Sequence, residues 1–265
     1  MGLDLYGLIL EKIAGKGFTD LTLSGMGEPF LHPELDTMVS QAVAEGYKVH
    51  LLTNGTQPIS DAIMEMIEDL RISVHYLDIP GWIRTTKAKF WEFKLMRRSV
   101  NYLYKNHPGK VILTGVRIPG DEDFEDLETI KGAARKEGKI KAIEKWLPHN
   151  WVDTFNYRRV PCTKVSCGRP FNGPLQVQVD GTVNQCCFDY DGKLLLGDLK
   201  TQGLEEIFDG EVATRLRLNH TTGDHKGYIC DRCDQRMNYN GLIYSSYDVE
   251  DREGRTSTTL EEIAP

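Results

Sequence analysis

Residues 18–55 read FTDLTLSGMGEPFLHPELDTMVSQAVAEGYKVHLLTNG, and this stretch contains two strand patterns with a helix pattern between them. The first strand pattern is centred on Leu21–Leu23, where apolar and polar residues alternate. After the loop SGMGEPF, apolar residues recur at helical spacing over Leu35–Val43, and Gly46 ends the helix. The run YKVHLL at 47–52 is the second strand pattern. A strand, a helix and a strand in this order predict a parallel βα unit.

The same alternation continues on both sides of this stretch, from residue 1 to about residue 150. Before it, a helix pattern runs from Leu5 to Ile13 and ends at Gly15 and Gly17. After it, the patterns predict helices over 59–70, 87–106 and 124–130, and strands over 71–77, 110–118 and 140–146. Alternation of this kind predicts the α/β class, with parallel strands in an open sheet or a barrel. The series begins with a helix, as though the strand before it were missing.

The pattern changes after Trp151, where helical spacing fades and Cys, Gly, Pro and Asp become frequent. The runs LQVQV and TVNQC, joined by Asp180-Gly181, predict a β-hairpin. We predict one domain over 1–152 and a small second domain over 153–243 that is shaped by a metal site. The residues at 244–265, in which Ser, Thr, Glu, Asp and Arg dominate, predict a mobile polar tail.

Composition narrows the class of protein. The 265 residues carry a formal net charge of −7, which argues against a nucleic-acid partner because such proteins usually present a basic face. No apolar run approaches the roughly 18 residues that cross a bilayer, and the N-terminal residues do not have the pattern of a signal peptide. All six cysteines lie between positions 162 and 233, and clustered cysteines without marks of secretion more often bind metal than form disulfides. We therefore expect a cytoplasmic protein without membrane or nucleic-acid partners.

The candidate metal site consists of Cys167, Cys186, Cys230 and Cys233. Cys230 and Cys233 belong to one C-x-x-C turn, while Cys167 and Cys186 flank the predicted hairpin, whose two ends meet in space. Four thiolates suit either zinc or an iron–sulfur cluster, because both prefer sulfur ligands. Ligation by single thiols spread along the chain is less typical of a zinc ribbon.

A second candidate site is the loop Ser24-Gly25-Met26-Gly27-Glu28-Pro29, which directly follows the first predicted strand. In parallel α/β folds, ligands bind at the carboxyl ends of the strands, and glycines let the backbone approach a ligand closely. Glu28 offers a carboxylate for an ammonium group. Thr53, Asn54 and Ser73 also lie at predicted strand ends, where their polar groups could reach the same ligand. A plain structural turn is the alternative interpretation of this loop.

Together these segments resemble the radical S-adenosylmethionine superfamily, in its branch with a C-terminal SPASM or twitch auxiliary-cluster domain. The resemblance covers about residues 3–243. Gly25-Met26-Gly27-Glu28-Pro29 is similar to the GGEP motif of the family, which implies that this loop binds the methionyl amino group of S-adenosylmethionine. The resemblance implies further contacts to this cofactor from strand-end residues, namely Thr53, Asn54, Ser73 and Ile118.

The second segment is similar to the family pattern of a cysteine, a variable run, a glycine, a short spacer and a second cysteine. Cys167, Gly181 and Cys186 satisfy this pattern, Cys230 and Cys233 supply the closing pair, and no cysteine follows them. The resemblance therefore implies one auxiliary [4Fe–4S] cluster on the four cysteines. It also implies the fold, an incomplete parallel (β/α) partial barrel that lacks its first strand, followed by a small Cys-rich β-hairpin/α domain.

The C-x-x-x-C-x-x-C motif that defines the family is missing, since no cysteine occurs before position 162. We expect this motif and a second [4Fe–4S] cluster only in a full-length protein, and we expect the chain to be N-terminally truncated and inactive by itself. For the complete protein, the resemblance implies an oxidoreductase that abstracts hydrogen from its substrate with S-adenosylmethionine. The auxiliary cluster would accept an electron. The implied partners are a small-molecule or peptide substrate and an electron donor such as a flavodoxin or ferredoxin.

Two other functions fit the residues. One is a non-catalytic scaffold that binds zinc or a cluster, and the other is a carrier that delivers clusters to other proteins. The roles of the two remaining cysteines are also open. Buried, inert thiols are the favoured interpretation of Cys162 and Cys187, although Cys187 could replace its neighbour Cys186 as a ligand.

Overall fold

The computed structural model describes residues 1–116, 140–146, 148–151, 164–189 and 191–236, together with the backbone of a strand at 242–245. Contacts divide the chain into two compact units. The first unit comprises Phe18–Leu147 and the segment that begins at Gly241, and the second comprises Met1–Gly17 and Pro148–Asn240. The predicted domain over 1–152 differs from this division, because the first helix packs with the second unit.

The first unit is built on a sheet of six strands in the order β1-β2-β3-β4-β5-β9. These strands are β1 (Asp20–Leu23), β2 (Lys48–Thr53), β3 (Asp69–Ser73), β4 (Val111–Val116), β5 (Ala142–Trp146) and β9 (Leu242–Ser245). The first five run parallel, and β9 pairs with β5 in the antiparallel sense. The α/β class with parallel strands is therefore confirmed.

Helices connect the parallel strands. They are α2 (Leu35–Ala44), α3 (Asp61–Met66), α4 (Ile79–Thr86) and α5 (Phe90–Asn106), and a short 3-10 turn at Pro29–Leu31 precedes α2. Local sequence sets their starts. Ser60 accepts a hydrogen bond from the amide of Ile63 at 3.4 Å, and Asp78 accepts one from the amide of Gly81 at 2.7 Å. Both are side-chain caps of a helix N-terminus, which satisfy amides that have no partner within the helix.

The core of the first unit consists of strand residues with no measurable exposure. They include Val49, Leu51, Leu70, Ile72, Ile112 and Leu113. Burial of each such side chain contributes about 1.5–3 kcal/mol. The strands of a parallel sheet that is covered by helices have nearly continuous apolar sequences. This is why the sequence indicated strands at 47–52 and 110–118.

The second unit contains a three-stranded antiparallel sheet in the order β6-β7-β8. The strands are β6 (Gln176–Val177), β7 (Thr182–Asn184) and β8 (Leu195–Asp198), and the helices of this unit are α1 (Leu3–Ile13), α6 (Arg169–Asn172), α7 (Leu204–Asp209) and α8 (Glu211–Thr222). The predicted hairpin is confirmed as β6 and β7. Gly181 turns it at φ 89°, and a Cβ atom there would lie 3.1 Å from Cδ1 of Leu5. Lys12 Nζ donates to the carbonyl oxygen of Gln202 at 2.6 Å, so α1 is tied to this unit.

Several predicted boundaries were wrong. The helix predicted over 59–70 ends at Met66, because Leu70 belongs to β3. The strand predicted over 71–77 ends at Ser73, and α4 lies between this strand and the helix predicted over 87–106. The tail predicted from residue 244 begins inside β9, whose backbone pairs with β5. The helix predicted over 124–130 lies outside the described residues. No helix in the described part of the chain is long and apolar enough to cross a membrane.

Candidate cofactor and cluster sites

The loop after β1 places Glu28 at the carboxyl edge of the parallel sheet. Its Oε1 accepts a hydrogen bond from the hydroxyl of Thr53 at 2.7 Å, and its Oε2 accepts one from the amide of Asn54 at 2.8 Å. The amide of Phe30 also donates to Oε1, at 3.2 Å. Because a carboxylate offers about four acceptor positions, these three described donors orient the group and leave capacity for a further donor.

Backbone geometry after β2 brings these groups together. Thr53 is only 3% exposed, and its hydroxyl oxygen accepts from the amide of Gly55 at 3.0 Å. Gly55 has φ 73°, and a Cβ atom on it would lie 3.0 Å from Cγ2 of Ile72. Only glycine avoids both the left-handed strain and this contact. The turn therefore holds the Thr53 hydroxyl against Glu28.

Some of the remaining predicted cofactor residues lie at the same edge of the sheet. Gly25, Gly27 and Pro29 flank Glu28 in its loop, and Met26 is 79% exposed. Ser73 is the last residue of β3, in register with Thr114 of β4. Ile118 lies outside the described residues. The structure thus brings together Glu28, Thr53 and Asn54, and their role as S-adenosylmethionine ligands stays a prediction.

Sequence reasoning missed His75, which follows β3 at the same edge. Its φ of 58° is unusual for a residue with a side chain, and its Nδ1 accepts a hydrogen bond from the amide of Val116 at 3.3 Å. Burial lowers the pKa of His75 to about 4, so the imidazole is neutral at pH 7. Strained backbone is concentrated at functional sites, but a single sequence does not show which residue will adopt it.

In the second unit, four cysteines line one partly open cavity. Cys167, Cys186, Cys230 and Cys233 all line it. Cys167 precedes α6, Cys186 follows β7, and the other two lie on a 3-10 turn at Ile229–Arg232 and just after it. The predicted proximity of the hairpin flanks to the C-x-x-C turn is therefore present in the structure, while metal ligation by these thiols stays a prediction.

Burial has a strong effect on these thiols. Together with the neighbouring Cys167, it raises the pKa of Cys230 to about 12 and the pKa of Cys233 to about 12. A hydrogen bond with Cys187, followed by burial, raises the pKa of Cys186. Thiols of this kind keep their protons unless a metal displaces them, because metal ligation requires the thiolate form.

The cavity walls suit an anionic, sulfur-ligated group. Apolar Pro170, Leu194 and Ile229 line it together with the cationic side chains of Arg169 and Arg236. Arg236 is 9% exposed and donates from Nη1 to the carbonyl oxygen of Cys230 at 2.9 Å. Buried charges are retained where they are paired. A cluster with four thiolate ligands carries negative charge, so these guanidinium groups fit it.

The other two cysteines have different positions. Cys187 is exposed and does not line the cavity, although it directly follows Cys186. Cys162 lies outside the described residues. Within the part of the chain that the structure describes, no three His, Cys, Asp or Glu side chains are arranged to hold a single metal ion.

Comparison with known proteins identifies the cysteine-bearing segment. Residues 167–234 match SPASM, an iron–sulfur cluster-binding domain. Residues 167–234 form a SPASM domain. All four cavity cysteines fall within these bounds. No curated protein sequence matches the chain significantly.

Solved structures share the fold of nearly the whole chain, with the SPASM domain included. BtrN in complex with AdoMet and 2-DOIA is 17% identical over 92% of this chain and 86% of its own, with a TM-score of 0.57. SuiB from Streptococcus suis, bound to S-adenosylmethionine, is 13% identical over 91% of this chain and 65% of its own, with a TM-score of 0.62. For anSMEcpe with bound AdoMet the identity is 16%, the coverage 81% and 70%, and the TM-score 0.54.

These similarities concern the fold of the chain. The chain shares the α/β partial-barrel fold of these solved structures, and residues 167–234 match the SPASM domain. This agrees with the resemblance in the GGEP-like loop and in the cysteine spacing.

Proposed function

We propose that Cys167, Cys186, Cys230 and Cys233 hold one auxiliary [4Fe–4S] cluster. The observation that carries the proposal is that four thiols from three chain segments line one cavity within the residues that match the SPASM domain. The apolar walls and the two guanidinium groups around the cavity support an anionic cluster with sulfur ligands. When bound, such a cluster supplies one-electron redox chemistry.

We further propose that the complete protein is an oxidoreductase of the radical S-adenosylmethionine type, and that this chain alone, which has no C-x-x-x-C-x-x-C motif, does not perform the reaction. Glu28 would bind the ammonium group of the methionyl part of S-adenosylmethionine, because an oriented carboxylate at the carboxyl edge of a parallel sheet suits a cationic group. Thr53 and Asn54 would hold this carboxylate in place through the hydrogen bonds described above. Two proteins with the same fold, BtrN and SuiB, bind S-adenosylmethionine.

The substrate class that we propose is a small molecule or a peptide. BtrN was crystallised with 2-DOIA and SuiB with the precursor peptide SuiA. The electron donor that we propose is a small redox protein such as a flavodoxin or ferredoxin.

Anaerobic reconstitution with iron and sulfide tests the cluster site. We expect iron and sulfide in equal amounts, a broad brown absorbance band, and loss of both in each Cys→Ser variant of the four cavity cysteines. Cys187→Ser is the matched control, since it removes a thiol next to Cys186 that does not line the cavity. A single colourless zinc ion per chain would contradict the proposal and support a zinc-binding scaffold. Rapid transfer of the cluster to an apo-acceptor would support a carrier.

Calorimetric titration with S-adenosylmethionine tests the second site separately. We expect Glu28→Gln to weaken binding at least tenfold, because the ammonium group loses its charged partner. Glu34→Gln is the control, since Glu34 is an exposed carboxylate at the start of α2 in the same unit. Equal affinity of the wild type and Glu28→Gln for S-adenosylmethionine would show that the Glu28 carboxylate does not bind it.

A further inference from the structure

His220 of α8 lines the same cavity as the four cysteines. Only 2% of this residue is exposed. Cysteine spacing gives no indication of its position, because it lies on a helix between the second and the third ligand. Both ring nitrogens of a buried imidazole need a hydrogen-bond partner.

Ser166 provides the partner for the first nitrogen. Its Oγ lies 2.9 Å from Nδ1 of His220, and the same oxygen accepts a hydrogen bond from the amide of Gly168 at 3.0 Å. Because the oxygen already accepts from Gly168, the hydroxyl proton is available, and its donation to Nδ1 satisfies both groups. This arrangement places the imidazole proton of His220 on Nε2.

The second nitrogen, Nε2, is buried and has no hydrogen-bond partner among the described residues. An unsatisfied buried donor costs about 1–3 kcal/mol, and native proteins seldom retain one. A group that fills the cavity beside this ring can provide the missing acceptor. Sulfide and thiolate sulfurs of an iron–sulfur cluster accept hydrogen bonds, and such bonds tune the reduction potential of the cluster.

We propose that His220 donates a hydrogen bond from Nε2 to a sulfur of the auxiliary cluster and thereby raises its reduction potential. This inference rests on the proposed cluster site. A donor directed at a sulfur stabilises the reduced cluster, which carries one more negative charge, over the oxidised one. Ser166 is a positioning residue, because it keeps the imidazole proton on the nitrogen that is free to reach the cluster.

His225 provides a matched control. Its ring packs edge-on against His220 with centroids 4.6 Å apart, and it is also 2% exposed. It does not line the cavity, and its Nε2 lies 2.7 Å from the carbonyl oxygen of Val165, to which it donates. His220→Phe and His225→Phe each remove one imidazole from this ring pair. Only His220→Phe changes a side chain that lines the cavity.

The experiment compares the reconstituted wild type, His220→Phe and His225→Phe. Iron and sulfide content is measured first, and a redox titration monitored by electron paramagnetic resonance then gives the midpoint potential. We expect all three proteins to bind the cluster. In His220→Phe the equilibrium constant for one-electron reduction of the cluster should fall about tenfold. This corresponds to a midpoint potential that is lower by about 59 mV. His225→Phe should keep the wild-type potential, and Ser166→Ala should lie between the two.

A second measurement covers the case in which His220→Phe fails to bind a cluster. Wild-type protein with ¹⁵N-labelled histidine should show ¹⁵N hyperfine coupling to the reduced cluster in pulsed electron paramagnetic resonance. An unchanged potential in His220→Phe, an equal shift in both histidine variants, or no coupling in the wild type would overturn the inference. A wild type that binds no cluster would refute the proposed cluster site itself.

Discussion

The hydroxyl of Thr53, at the end of β2, donates to Oε1 of Glu28 over 2.7 Å, although the two residues are 25 positions apart in the chain. This contact joins two neighbouring strand ends at the edge where parallel α/β proteins bind ligands. It orients a carboxylate that the sequence pattern only indicated as a candidate. The same hydroxyl oxygen accepts from the amide of Gly55, so Thr53 links the turn after β2 to the GGEP-like loop.

Thr53→Val tests this link. We expect the free energy of unfolding to fall by about 1–3 kcal/mol, because the substitution leaves the amide of Gly55 without this acceptor and removes one of the two donors to Oε1 of Glu28. Thr56→Val makes the same change three positions along the chain, at a half-buried residue whose hydroxyl donates to the side chain of Asn54 and accepts from that of Gln57. It should shift stability by less than about 0.5 kcal/mol. Urea unfolding measures the free energy of unfolding of both variants. Equal losses would show that the hydroxyl of Thr53 stabilises the protein no more than that of Thr56.

Gly55→Ala separates backbone strain from packing. A methyl group at Gly55 meets Ile72 at 3.0 Å and Met96 at 3.3 Å, whereas one at Gly46, with φ 89°, meets nothing within 4 Å. Gly46→Ala should therefore cost about 1 kcal/mol from the left-handed backbone alone. Gly55→Ala should cost more, since packed cores also resist added atoms. Thermal unfolding ranks the two variants, and an equal loss would exclude the packing contribution.

The neutral, buried imidazole of His75 predicts a dependence of stability on pH. Its pKa is lowered to about 4 in the folded protein, whereas an unfolded histidine has a pKa of about 6.5. Between these values the unfolded chain binds a proton that the folded protein does not. Stability is therefore complete above pH 6.5 and falls as the pH drops towards 4, by at most about 1.4 kcal/mol per pH unit for this one group.

His75→Asn checks this prediction. Asparagine tolerates the left-handed backbone at this position but does not titrate. Urea midpoints measured from pH 8 to pH 4 should fall less steeply for the variant than for the wild type. Burial also lowers the pKa of His220 to about 4. His220 therefore contributes equally to the pH dependence of stability in the wild type and in the variant. Parallel curves for the two proteins would contradict the prediction.

Asp69 is a second titrating group with a structural role, at the amino edge of the sheet. It is 3% exposed, and its two oxygens lie 3.0 Å from Nδ1 of His50 and 3.0 Å from Nζ of Lys141. Burial acts to raise the pKa of Asp69, but the neighbouring His50 ring and the Lys141 ammonium group outweigh burial and lower it. Asp69 thus contributes stability above the unfolded pKa of about 3.9, and this contribution is lost as the pH falls through the lower folded value.

Asp69→Ala should destabilise the protein by about 3–5 kcal/mol at pH 7, because it leaves the ammonium group of Lys141 and the ring of His50 beside an empty position. The difference from the wild type should shrink below about pH 4. Asp61→Asn is the comparison, since this exposed carboxylate also pairs with a histidine, His107, at 2.6 Å. Its loss should be smaller because water screens an exposed pair. A loss at Asp61 as large as that at Asp69 would contradict this account.

Local patterns predicted most of the elements, and the errors have physical causes. Apolar spacing located β2, β4 and α5, because each buries one continuous face. Leu70 fitted the helical spacing that begins at Ile59, but its pairing with Val111 places it in β3. The strand β9 has no strong pattern of its own, since it forms by pairing with β5, almost a hundred residues earlier in the chain.

The sequence by itself determined the alternation of βα units, the GGEP-like loop and the four cysteines of the SPASM domain. These features follow from local propensity, spacing and residue chemistry, all of which can be read along the chain. Tertiary structure alone decided that Thr53 orients Glu28, that His75 is held in a strained, neutral state, and that His220 faces the cysteines. Each of these depends on which distant segments meet, because hydrogen bonds and burial are set by neighbours in space rather than in sequence.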